Sequence, residues 1–355
     1  TLRKIILLKT VKGFCCLMQE IKNGIDRTHL KLMVAFVMGA SMLFSCQQAD
    51  EPMIDKGQES ALKTRAYGDK TPTVTIYVET NDVNPLNAGD YKLPDGTPYA
   101  DIVELFASNI HKRTVNGVVE PTLYLNDKMT NLLENDGYLT YVKPLQDMGI
   151  KVLLTVLGDW QGIGVANMND TQTTQFAKIL AYAVEKYGLD GIGFDDEYAN
   201  YPSTNSTSFS QIIIKLRELM PADKLITVFQ WGYYNTINAQ AGALIDHAYA
   251  NFGYSTNIGI SGVTKDHFAP LSINLGSIGS VTVYGDYAYE LAEAGYGSIM
   301  HFNLRTRNDS DPLNLFKAIA DGAWGETNVT CTNGNRPQDW TFVSSGYEIN
   351  MDEVE

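Results

Sequence analysis

The chain has 355 residues, 44% of them apolar and 10% aromatic, a composition that suits a soluble globular protein with room for one large domain or two ordinary ones. Its formal net charge is −14, and residues 1–45 hold seven Lys/Arg against two Asp/Glu, so the rest of the chain carries −19. A body this acidic argues against nucleic acid or anionic membrane surfaces as partners and favours a neutral or cationic ligand.

Residues 1–45 read as a leader and signal peptide. Arg27, His29 and Lys31 precede the apolar run Leu32–Phe44, which is short for a membrane span and suits a signal-peptide core. The run ends in Leu43-Phe44-Ser45-Cys46, similar to a bacterial lipobox, so Cys46 is the expected lipidation site. The expected location is therefore the outer membrane, at the cell surface or facing the periplasm. Residues 46–72 are polar, with Pro52, Gly57 and Gly68, and read as anchor and flexible tether. Cys15 and Cys16 lie in the leader, so Cys331 is left without a disulfide partner in the body. The scattered histidines offer no metal-ligand spacing, and neither metal nor organic cofactor is expected.

From Val74 onward short apolar runs alternate with helical patterns. The predicted strands are 74–79, 102–108, 151–157, 191–197, 225–230, 247–252, 272–276 and 297–303. Helices are predicted over 171–187, 208–220 and 286–294. Phe176, Ile179, Leu180 and Ala183 recur at helical spacing along one face. Strands alternating with helices imply a parallel sheet, and eight such units imply a single (β/α)8 TIM barrel over residues 73–326. An added hairpin strand is predicted over 122–126. Residues 327–355 form a C-terminal extension, in which Trp340, Phe342 and Tyr347 call for a packing partner.

Barrel chemistry sits at the C-terminal ends of strands. Those ends carry Glu79, Asp159 with Trp160, Asp195 with Glu197, Gln230 with Trp231, Asn251 with Tyr254, and Asn303. Residues 189–201 read LDGIGFDDEYANY. Asp195 and Glu197 are two apart and share a face of an extended strand, where each carboxylate raises the other's pKa. An acidic strand end running into a solvated loop would have the same spacing.

This run resembles the D-G-x-D-x-D-x-E signature of glycoside hydrolase family 18. Asp190, Gly191, Asp195 and Glu197 fill their places, and Gly193 stands where the family has its middle Asp. From Val74 to Glu326 the chain resembles the compact endo-β-N-acetylglucosaminidases of the endoglycosidase H and flavobacterial F type. The resembling segments are TVTIYVETNDVNPLNAGDYKLPDG (73–96), VELFASNI (103–110), IKVLLTVLGDWQGIGVANM (150–168), KYGLDGIGFDDEYANY (186–201) and EAGYGSIMHFNL (293–304), in the family's order.

The resemblance implies hydrolysis of the β-1,4 bond in the N,N'-diacetylchitobiose core of N-linked, high-mannose or hybrid glycans. Glu197 would be the general acid. Asp195 would accept a hydrogen bond from the substrate's acetamide N–H while the acetamide oxygen attacks the anomeric carbon. Asn251 and Tyr254 match an amide and a tyrosine placed against the acetamide carbonyl, while Gln230, Trp231 and Trp160 would build sugar platforms. Gly193 leaves Asp195 without its usual partner, so restoring an Asp there is expected to raise activity or shift its pH dependence. The alternatives are a catalytically weak or inactive glycan-binding surface protein, supported by Gly193 and Gly253, and a chitinase, disfavoured by the short loops. A monomer is expected in each case.

Overall fold

Continuous apolar runs become strands buried on both faces, with alternate residues parting to opposite sides. Val152, Leu154 and Val156 enter the main core beneath the helices, whereas Leu153 joins a separate cluster with Ile102 and Leu225. Val74, Ile76 and Val78 likewise face the main core, and Tyr77 faces the sheet's inner side with Phe229, Tyr249 and Met300. The inner side is thus a smaller, more aromatic layer than the outer one.

A computed structural model describes residues 67–339 and 345–354. The leader, Cys46, most of the expected tether, Trp340 and Phe342 lie outside the described residues. In chain order the strands begin with β1 Thr73–Glu79, β2 Tyr91–Lys92, β3 Ile102–Val115 and β4 Val118–Leu125. They continue as β5 Lys151–Gly158, β6 Gly191–Phe194, β7 Leu225–Phe229 and β8 His247–Tyr249. After these come β9 Gly253–Tyr254, β10 Phe268–Ala269, β11 Leu271–Asn274 and β12 Ser298–Leu304, with β13 Thr330–Cys331 and β14 Tyr347–Ile349 last.

The result is an α/β fold around a curled, mostly parallel sheet. Neighbouring strands run β10-β8-β7-β6-β5-β3-β1-β12-β11-β9, with β4 on β3 and β14 on β4. β10 pairs in parallel with β8, and β11 pairs in parallel with β12. Pro270 alone separates β10 from β11.

The helices cover the outer side. The helix Asp170–Lys186 is started by Asn169, whose side chain accepts from the Gln172 N–H while Gln172 reaches back to the Asn169 N–H. Such a cap contributes about 1 kcal/mol. Its buried face is Phe176, Ile179, Leu180, Ala183 and Val184, each of the large side chains stabilising by about 1.5–3 kcal/mol.

Three expectations need correction. The hairpin strand predicted over 122–126 spans Val118–Leu125 and pairs antiparallel with a β3 that runs on to Val115. The cause is the two-residue turn Asn116-Gly117, where both residues have positive φ (51° and 80°) and match the twist of the flanking strands. The fourth predicted strand stops at Phe194, so Asp195 and Glu197 lie just beyond its end. The end of the expected tether is docked: Lys70 is buried, ion-paired with Asp101 at 2.9 Å and bonded to the Tyr99 carbonyl at 2.5 Å, and Tyr67 bonds His247.

The C-terminal extension also has its places. β13 pairs with β2, and Arg336 bonds Asp90, which also accepts from the Gly334 N–H at 2.9 Å. β14 adds an antiparallel strand to β4, covering an edge that would otherwise stand open. Tyr347, within β14, bonds Glu353 at 2.5 Å and lies under the Lys186 ammonium.

Candidate active site

The end of β6 places three acids in succession. The backbone stays tied to β5: Asp195 N–H donates to the Val156 carbonyl at 3.1 Å and Gly158 N–H to the Glu197 carbonyl at 2.9 Å. The segments approach so closely that a Cβ at Gly158 would strike the Ala199 backbone, which is why that position is glycine. Alternation continues past the strand. Asp195 and Glu197 line one cavity of about 230 Å³, while Asp196 accepts from the Tyr201 hydroxyl at 2.5 Å and the Tyr233 N–H at 2.7 Å.

Glu79 from β1 and Asn303 from β12 complete the polar lining of the cavity. Its walls are aromatic and apolar: Tyr77, Phe106, Phe229, Phe252, Met300 and Phe302. Tyr198 stands at the cavity with its ring half exposed, 5.3 Å from the exposed Trp160 ring. Both residues have a φ of 57°, a left-handed backbone that is strained for a large side chain.

The electrostatics separate the acids. Burial pushes the Asp195 carboxyl well above the usual range, and the charges of Glu197, Asp196 and Glu104 push it further. Among the described residues its buried Oδ1 has no hydrogen-bond partner. Burial also raises Glu197, opposed by a hydrogen bond from Tyr198. Asp196 is raised to about 6 by burial, with Tyr201 and Tyr233 pulling it down. Glu79 is raised by burial, against the opposing hydrogen bond from the Asn81 N–H.

Gly193 explains a further acid. Thr155, Gly193 and Thr227 lie side by side in register across β5, β6 and β7. The missing side chain leaves a notch between two threonines, and the Glu104 carboxylate fills it from β3. Oε2 accepts from Thr155 Oγ1 at 2.7 Å and Oε1 from Thr227 Oγ1 at 2.5 Å. Glu104 is fully buried, and burial raises it to about 7 against the pull of the two hydroxyls. A Cβ built on Gly193 would lie within 2.8 Å of Cδ and Oε1 of Glu104. The expectation that Gly193→Asp improves the enzyme is therefore corrected: the space is taken.

The other sequence-selected residues are placed as follows. Glu79, Asp195, Glu197 and Asn303 meet in the cavity. Gln230 is buried with its Nε2 unpaired, and the Trp231 ring lies parallel to Phe229 at 6.4 Å and 5.5 Å from Phe252. Asp159 bonds His111 Nε2 at 2.8 Å beside Trp160 on the loop after β5. Asn251 is exposed. Tyr254 stacks on Tyr287 at 4.2 Å, within the antiparallel β9 rather than on the cavity wall. Sequence reasoning missed Glu104 and most of the aromatic wall. Glu104 had a signal, a single acid inside the apolar run Ile102–Leu105; Phe229 and Phe302 look like core residues.

A curled α/β sheet with several carboxylates in one aromatic-walled cavity at its strand ends fits a glycoside hydrolase. No family model matches the chain. It is 30% identical over 292 residues to endo-β-N-acetylglucosaminidase F1 of Elizabethkingia meningoseptica, covering 74% of this chain and 81% of that one. It is 32% identical over 259 residues to the endo-β-N-acetylglucosaminidase of a Flavobacterium species, covering 70% and 79%. The crystal structure of Bacteroides thetaiotaomicron EndoBT-3987 with Man9GlcNAc2Asn substrate aligns with TM-score 0.64 and 26% identity, over 82% of this chain and 74% of that one. Its complex with Man5GlcNAc product aligns at TM-score 0.64 and 27% identity, over 81% and 67%. The chain belongs to the endo-β-N-acetylglucosaminidases, glycoside hydrolases of the family 18 type.

Proposed function

We propose that the protein cleaves the β-1,4 bond of the N,N'-diacetylchitobiose core of N-linked, high-mannose glycans by a retaining, substrate-assisted mechanism. The observation that carries it is the shared cavity of Asp195 and Glu197, the two acids that match the family's motif. Glu197, whose pKa burial raises, donates to the leaving oxygen and then acts as base toward water. The acetamide oxygen of the substrate attacks the anomeric carbon. Asp195 Oδ1, buried and unpaired, accepts from the acetamide N–H and stabilises the oxazolinium charge. Tyr77, on the cavity wall, takes the role of donor to the acetamide carbonyl that the sequence had assigned to Tyr254. The aromatic walls stack on sugar faces. High-mannose specificity is supported by the Man9GlcNAc2Asn and Man5GlcNAc ligands of the Bacteroides enzyme.

The sheet is read as a complete (β/α)8 barrel, with 268–274 as its seventh strand. The support is that one half of this segment pairs with β8 and the other half with β12 across Pro270. A single helix, Val281–Glu293, lies between β11 and β12, leaving no inserted domain to deepen a chitin cleft. Lipidation at Cys46 would hold a monomeric enzyme on the outer membrane, facing the cell surface; Cys46→Ala releasing the protein into the soluble fraction tests this.

The decisive experiment treats a high-mannose glycoprotein and a chitin oligosaccharide with the purified protein. The expected products are free glycan and a protein bearing one N-acetylglucosamine, with competitive inhibition by a thiazoline that mimics the oxazolinium intermediate. Cleavage of chitin alone would make it a chitinase. Glycan binding with no release would make it a carbohydrate-binding surface protein.

A further inference from the structure

Two buried carboxylates that meet without a cation resist carrying two charges. The strand register sets Glu104 within electrostatic reach of Asp195, whose carboxyl its charge helps to raise. Gly193 and Asp195 are two residues apart at the end of β6 and point to one side. The room above Gly193 holds the Glu104 carboxylate, delivered from β3 and fastened at both oxygens by Thr155 and Thr227. Glu104 is fully buried and is absent from the lining of the cavity, so it acts on the site through a neighbour, and its charge is one of those that raise Asp195. The other groups that feel its charge are the buried phenols Tyr77 and Tyr249.

We propose that Glu104 is the positioning residue for Asp195: the two share one proton, and Glu104 takes it up when Asp195 must carry the negative charge. This rests on the substrate-assisted reading above. Above about pH 7 the two threonine hydroxyls hold a charged Glu104, and Asp195, also raised, holds the proton. When the acetamide N–H arrives at Asp195, the Asp195 O–H bond breaks and the proton passes to a Glu104 oxygen. Asp195 is then an anion facing the forming oxazolinium, and the buried pair still bears a single charge. Loss of the middle acid at 193 is thereby offset by a carboxylate that occupies the same space from another strand. Gly193 and Glu104 form one unit, since any side chain at 193 displaces the carboxylate.

The test uses three variants of the purified protein. Glu104→Gln keeps shape and can still bond both threonines, but it cannot ionise. Its kcat should fall roughly 10–100-fold, less than the 10²–10³ of losing a direct transition-state contact, because Glu104 acts through Asp195. KM should stay within about threefold, since the substrate does not touch it. Gly193→Asp should lose activity and melt lower. Combined with Glu104→Ala, it moves the carboxylate from β3 to β6 between the same threonines and should recover at least about tenfold over Glu104→Ala alone. Carboxyl-carbon NMR of Asp195 should show two widely spaced titration steps in the wild type and one step in Glu104→Gln.

A folded Glu104→Gln with wild-type kcat, an Asp195 titration unchanged by that substitution, or a transposed carboxylate that restores nothing would each overturn the proposal. Thiazoline inhibition of the wild type tests the substrate-assisted reading separately. Insensitivity to it, with the NMR coupling intact, would overturn that mechanism and leave the shared proton standing.

Discussion

Asp190 and Asp195 stand at opposite ends of β6 and are held in opposite ways. Asp190 accepts from the Val152 N–H at 3.0 Å and Gln146 at 2.7 Å, and its other oxygen is ion-paired with Lys151 at 3.2 Å. Asp195 has Glu197, Asp196 and Glu104 for neighbours, and its Oδ1 has no donor. One end of the strand neutralises its acid, and the other gathers acids that repel one another. Acids of the first kind secure the fold. Those of the second kind cost stability, a cost typical of places where protons are moved.

The comparison breaks most visibly at the uncompensated end. Glu197→Gln keeps the size of the side chain and removes its proton, so kcat should fall about 10²–10⁴-fold. Its melting temperature should hold or rise, because a raised carboxyl is lost. Glycan release and thermal melting measured on one preparation check both halves; near-wild-type turnover would place the acid elsewhere.

Glu104 gives the next effect, now on stability. Its folded pKa, about 7, lies above its ordinary 4.5. The native state therefore binds the proton more tightly than the unfolded chain does. That contribution is complete below pH 4.5 and is lost as the pH rises through 7, by about 3 kcal/mol. Glu104→Gln does not titrate in this window. Urea unfolding at pH 5 and pH 8 should show the wild type losing stability relative to the variant across that interval, and parallel curves would contradict a raised Glu104.

At the compensated end, Asp190→Ala leaves the buried Val152 N–H unpaired. It should destabilise by about 1–3 kcal/mol in urea unfolding, with kcat of the folded protein unchanged. A large fall in kcat would show that Asp190 belongs to the site.

Much of this contrast could be read from the chain and part of it could not. The strands were legible because apolar runs buried on both sides are continuous, and the acids at 195 and 197 because their spacing puts them on one face. Asp190 immediately precedes the strand predicted over 191–197, so its place at the strand's start was legible too. The Asn116-Gly117 turn carried a readable signal, two residues suited to positive φ, that would have lengthened β3 and β4. The role of Glu104 was hidden because it depends on register: only when Thr155, Gly193 and Thr227 align across three strands does an acid from a fourth fill the gap. Phe229 and Phe302 were hidden for another reason, since an aromatic residue facing a cavity and one facing the core have the same local pattern. Tyr254 looked like a site residue because, with Asn251, it matches the tyrosine of the resembling family. Spacing alone does not show that Gly253-Tyr254 turns back as an antiparallel strand and lays its ring on Tyr287.

The smallest expected effect concerns how far Glu197 is held from its ordinary pKa. Burial raises it, and the Tyr198 hydroxyl opposes this by donating to the carboxylate and so favouring the charged form. Tyr198→Phe removes that donor and keeps the ring beside Trp160. The neutral acid is then favoured, so the Glu197 pKa rises. As the general acid must be protonated to react, the alkaline limb of kcat/KM should move to higher pH. One hydrogen bond to a half-exposed phenol contributes on the order of 0.5–1 kcal/mol, so the shift should be small. The acid limb and the maximum should stay close to the wild type, because the ring remains. A full pH series of kcat/KM on a labelled high-mannose glycan resolves a displacement of this size. Movement to lower pH would mean that Tyr198 supports the protonated form, and an unmoved limb would assign it to a group other than Glu197.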